Sequence, residues 1–144
     1  MSNNNIFSKN AHWLLRIAIA SVFFYHGSLK FSNLEMFSQM LPISHLQLVL
    51  VASAQVVGSL LVVLGGFGNG FLSDVSTRIG ALLNIPVMIG AVVLVHWGRW
   101  NFVPTENYPM GGMEFQVVLA LMMLYLVLTG NQGVAAVASR SNHV

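Results

Sequence analysis

The chain has 144 residues, enough for one domain. Only 7% of them are charged, where a soluble domain carries about 25%. With a mean hydropathy of +0.73, no single soluble core of this size could hide the apolar surface, so the expected solvent is a lipid bilayer. A net charge of +2 without a basic cluster argues against a nucleic-acid surface. The lack of cysteine excludes, within this chain, disulfide relay chemistry, thiolate metal sites, iron–sulfur ligation and covalent haem attachment.

A polar tail is expected from Met1 to Asn10. Crossing a bilayer takes roughly 20 apolar residues in a helix, and four stretches are read as crossings: about His12 to Phe31, Ile43 to Phe67, Thr77 to Trp97 and Met113 to Gly130. The fold class read from these is an all-α membrane protein, a four-transmembrane-helix bundle forming one domain. A cleaved signal peptide ending near Ala18-Ile19-Ala20 is the rival for the first stretch. It would place Arg16 inside a very short apolar region, and apolar residues continue beyond it. The link from Ser32 to Pro42 carries Met36, Phe37, Met40 and Leu41, so it is expected to lie on the membrane surface. Glycines from Gly65 to Gly70 open an inner turn through Ser73 and Asp74. Pro86 should bend the third crossing. Residues after Gly130 are small and polar and read as a frayed end. Lys9, Arg16, Arg78 and Arg140 fall on one face, and Lys30 and Arg99 on the other. The basic bias therefore predicts both termini in the cytoplasm.

Polar residues inside a crossing are costly and usually face the bundle interior. Spacing of four puts His26 and Lys30 on one side of the first helix. His96 and Arg99 end the third helix at the same depth, and Glu114 begins the fourth, with Trp97, Trp100 and Tyr108 nearby. Imidazoles, a carboxylate, cations and flat rings at one level suit a lipid-soluble ring such as a quinone. His26 and Glu114 would exchange protons as the catalytic pair, and His96, Trp97, Lys30 and Arg99 would bind the ring. The bland readings are that Lys30 and Arg99 snorkel to headgroups, that the tryptophans form an interfacial belt, and that Glu114 answers the helix dipole. A bis-histidine haem on His26 and His96 is the less favoured alternative. No metal site is expected. In the middle of the membrane Gln55, Ser59, Gly80 and Asn84 are read as close-packing positions between helices rather than a transport path. Arg16 and Arg78 are read as anchors that snorkel to the inner face.

The sequence resembles the DoxX family of small four-helix membrane proteins. The pieces that carry the resemblance are Leu15-Arg16, His26-Gly27 with Lys30-Phe31, Gly58 with Leu60-Leu61, Thr77-Arg78, His96, and Gly111-Gly112-Met113-Glu114-Phe115. The resemblance implies an inner-membrane protein, in some members a subunit of a quinone-linked or thiol-related oxidoreductase complex. It carries the family's recurring polar positions onto Arg16, His26, Lys30, Arg78, His96 and Glu114. Gln55 departs from the pattern, standing where relatives often have Glu, and an amide cannot carry a proton. Read together, these features predict an inner-membrane subunit of a quinone-linked oxidoreductase that works with a redox partner protein. The alternatives are a non-catalytic anchoring module and a small permease, which would have to form a homo-oligomer.

Overall fold

The computed structural model describes the backbone of residues 4–131 and the side chains of 10–131. The Lys9 and Arg140 side chains used in the orientation argument, and the end past Asn131, lie outside the described residues. Five α-helices follow in order: α1 (Asn4–Ser32), α2 (Leu34–Met40), α3 (His45–Gly65), α4 (Phe71–Ala91) and α5 (Glu114–Thr129). A π-helical turn, Val92–His96, continues α4. No strand occurs among the described residues, only an isolated bridge between Thr105 and Tyr108.

The surface is inverted relative to a water-soluble protein. Leu72 is 81% exposed and Leu14 75%, whereas Arg16 is 1% exposed and Thr77 and Asn84 are fully buried. Water would favour the opposite arrangement, while lipid favours apolar side chains outside and satisfied polar groups within. Three segments are long and apolar enough to cross a membrane: Asn10–Ser32, His45–Gly65 and Phe71–His96. This is an all-α membrane protein. α5 is apolar but has only 16 residues, about 24 Å at 1.5 Å per residue.

α3 packs between α1 and α4, and α4 carries α5. Missing side chains set these approaches. A Cβ on Gly58 would lie 2.7 Å from the Gly80 carbonyl oxygen, and one on Gly80 would lie 2.6 Å from that of Gly58, so α3 and α4 meet backbone to backbone. Asn84 sits in this crossing and donates to the Gly80 carbonyl at 3.2 Å. Ile19, Phe23, Val62, Met88, Leu119 and Met123 fill the core around it.

The structure sharpens several expectations. Helix α1 starts at Asn4, not past Asn10. The expected surface link contains α2, which packs on α3 and α1. α4 begins at Phe71, so Ser73 and Asp74 belong to its first turn rather than to a loop. An acidic side chain there suits the positive end of the helix dipole. α4 runs on through Pro86, and its helical register changes only at Val92.

Candidate functional site

The two ends of the bundle hold different polar assemblies. At the end nearest Arg16, four helices are tied together by one network. Arg16 donates to the Val62 carbonyl at 2.6 Å, the Thr77 hydroxyl at 2.8 Å, Asn131 Oδ1 at 2.6 Å and His12 Nδ1 at 3.2 Å. The Asn131 amide donates to the carbonyls of Gly65 and Gly68 at 2.7 and 2.9 Å, and its backbone N–H donates to Asp74 at 2.7 Å. Asp74 pairs with Arg78 at 2.7 Å, and Arg78 also donates to the terminal carbonyls of α5 at Val127 and Leu128. Arg16 is therefore not a snorkelling anchor. Its donors find acceptors inside the protein, so its head has no need of the interface. Arg78 is one-third exposed, and its guanidinium satisfies the orphan carbonyls of a helix end. Asn131 is 3% exposed, so the chain does not fray at Gly130. Gly130 turns with φ +51, which aims Asn131 back into the bundle.

The other end holds a partly open cavity of about 510 Å³ between α1, α2, α3, α4, the π turn and α5. Phe23, Phe37, Met40, Leu94, Phe115 and Leu119 give it an apolar wall. Its polar side chains are His26, Lys30, Gln55, His96 and Gln116. Their positions follow from local structure. His26 and Lys30 are one turn apart on α1. Between them, a Cβ on Gly27 would lie 2.8 Å from Val56 Cγ2 and 3.0 Å from the Ala52 carbonyl oxygen. That glycine lets α1 and α3 approach closely enough for Lys30 Nζ to donate to Gln55 Oε1 at 3.0 Å. Lys30 also lies 3.4 Å from the His26 carbonyl and 5.6 Å from the centre of the Phe37 ring.

His96 ends the π turn, a local register change that often marks functional sites in helices. Its Nδ1 lies 3.1 Å from the Gly111 carbonyl, which can only accept, so the ring proton sits on Nδ1. Nε2 then accepts from the Gln116 amide at 2.9 Å. The Gln116 carbonyl oxygen is buried without a partner. Gly111 adopts φ +74, a left-handed conformation. A Cβ on Gly112 would crowd the carbonyl oxygens of Arg99, Trp100 and Asn101. Two of those carbonyls accept the Met113 and Glu114 N–H groups at 2.9 Å and cap α5. The Gly-Gly-Met-Glu motif thus shapes a loop that holds His96.

Of the six side chains expected at one site, the structure brings His26, Lys30 and His96 to the cavity. Glu114, Trp97 and Arg99 are not among its lining residues. Glu114 accepts from the Phe102 N–H at 3.4 Å. Arg99 donates to the Thr105 hydroxyl and lies 5.7 Å from the Tyr108 ring centre. Trp97 is 68% exposed. Two polar lining residues lie outside the set that the sequence points to. Gln55 reads from the sequence as a packing position in the middle of the membrane, and Gln116 carries no signal there beyond being the one amide in the run from Phe115 to Leu128.

The sequence model of one family, DoxX, matches residues 11–97, which span α1 to the π turn and include His26, Lys30, Gln55 and His96. The chain belongs to the DoxX family. This DoxX chain is also 28% identical over 125 residues to the Bacillus subtilis (strain 168) protein named "Putative oxidoreductase CatD", covering 85% of this chain and 81% of that one. No solved structure matches it significantly.

Proposed function

We propose that this DoxX-family protein is an inner-membrane subunit of a quinone-linked oxidoreductase complex, with the cavity beside His26, Lys30 and His96 as its quinone site. The carrying observation is the cavity itself: about 510 Å³, walled by apolar side chains and carrying five polar ones. That volume falls within the range of about 300–1,000 Å³ usual for small-molecule sites. The oxidoreductase name of the Bacillus relative supports the reaction class.

A bound quinone would supply two-electron, two-proton redox chemistry. The residues of the chain would do the rest. His26 has an imidazole against the cavity and can give or take a proton at the ligand head. His96, held by Gly111 and Gln116, orients the ring. Lys30 and the free Gln116 oxygen offer a donor and an acceptor. Trp97 and Arg99 belong in this reading to the loop that closes the site and Glu114 to the helix start beside it, not to the ligand. A haem is less well served, since axial ligation through His96 Nε2 would cost the Gln116 hydrogen bond. Electrons would enter from a partner protein. In this reading α5 makes a fourth crossing, both termini are cytoplasmic, and the cavity opens towards the outer half of the membrane.

The test is chromatography of quinones extracted from protein purified in mild detergent. Near-stoichiometric quinone, lost in a folded His26→Ala variant and retained in Glu114→Gln, is the expected result. A well-folded protein without quinone would reject the proposal and leave the anchoring role.

A further inference from the structure

The charges around the cavity do not balance. Lys30 places an ammonium in its wall, and every partner of that ammonium is neutral: the Gln55 amide oxygen at 3.0 Å, the His26 carbonyl at 3.4 Å and the face of Phe37. No Asp or Glu lines the cavity. Among the described residues the one ion pair within 4 Å is Asp74–Arg78, at the opposite end of the bundle. A cation held in an apolar wall without a carboxylate is an incomplete arrangement, because burial penalises an unpaired charge. Gln55 sharpens the point. It occupies the position from which a carboxylate would neutralise Lys30, yet offers only an amide dipole.

We propose that the ligand supplies the missing charge: the cavity selects an amphiphile with one anionic oxygen at its head, set against Lys30, and an apolar body against Phe37, Leu94 and Phe115. Hydrogen bonds to an ionised acceptor are roughly twice as strong as neutral ones. For the shape of the body the inference rests on the quinone reading, and the ligand is then a quinone carrying an ionised ring hydroxyl. For the charge it rests on Lys30 alone, and an acyl carboxylate would satisfy the same site.

Three probes of equal tail length separate these cases: an alkyl hydroxynaphthoquinone that is ionised at neutral pH, its neutral O-methyl ether, and a fatty carboxylate. Binding is measured calorimetrically to the whole protein in nanodiscs of zwitterionic lipid, with empty discs subtracted. The ionised quinone should bind about tenfold or more tightly than its ether. That preference should shrink to about twofold or less in Lys30→Gln. Gln55→Glu, which gives Lys30 an internal carboxylate while keeping the side-chain volume, should abolish it equally. This second variant decides the matter if Lys30→Gln does not fold. Equal binding of ion and ether to the unaltered protein would overturn the anion inference and leave the quinone reading intact. Lys30-dependent binding of the carboxylate, with neither ring bound, would uphold the charge inference and reject the quinone reading. Binding of none of the three would overturn both.

Discussion

Arg16 and Lys30 are basic residues on the same helix, Arg16 near its middle and Lys30 in its last turn, and the bundle treats them differently. Arg16 is fully enclosed, and its three nitrogens meet acceptors from α1, α3, α4 and Asn131, two residues past α5. Lys30 is half-buried beside a cavity, with two neutral oxygens and an aromatic face for partners. One cation is consumed by the fold, and the other keeps unused capacity. The difference teaches how to sort polar residues inside a membrane bundle. A group whose hydrogen bonds are complete is holding helices together, whereas a group with spare donors next to open space is available to a ligand.

This contrast can be broken first at the closed end. Replacing Arg16 by Met should have the largest effect. It strips donors from Thr77, Asn131 and the Val62 carbonyl, a loss of about 3 kcal/mol or more, read as a lower midpoint of thermal unfolding in detergent. Unchanged stability would mean that the network is ornamental. Asn131→Ala comes next, at about 2 kcal/mol, because two carbonyls and the Arg16 head lose their partner together. If the two ends are independent, this variant should retain the proposed quinone to the same extent as the unaltered protein, and a parallel loss would show that they are coupled. Gln116→Leu should cost least, about 1 kcal/mol, while changing the cavity end alone. It frees His96 Nε2 while the Gly111 carbonyl still holds the proton on Nδ1, so nitrogen NMR of labelled histidine should keep the Nδ1–H form and show the Nε2 resonance moved by the lost hydrogen bond. A His96 spectrum identical to that of the unaltered protein would remove Gln116 from the site.

The helices were largely legible in the sequence because their signal is local. Runs such as Val49 to Leu64 in α3 are too apolar for water, whatever packs against them. The crossing of α3 and α4 was legible in part, since Gly80 and Asn84 are residue types that join helices in lipid, whereas Gly58 stood only as a piece of the family resemblance. Within the site, the spacing of His26 and Lys30 was readable, because positions four apart share a helix face. The partners of those residues were not. Gln55 meets Lys30 only through the close approach that Gly27 permits, and Gln116 meets His96 only after a π turn and a folded loop have set both. Glu114 shows the converse: its place at a helix start was clear, but the loop that caps α5 keeps it out of the cavity wall.

What the sequence by itself determined is the solvent, the helical class and the family, because these depend on composition, on runs of apolar residues and on the order of short motifs. What only the tertiary structure decided is which polar residue serves the fold and which faces open space. Arg16 and Lys30 look alike as letters in an apolar run. Whether a donor is satisfied depends on acceptors brought from other helices, and those arrive only when the bundle closes.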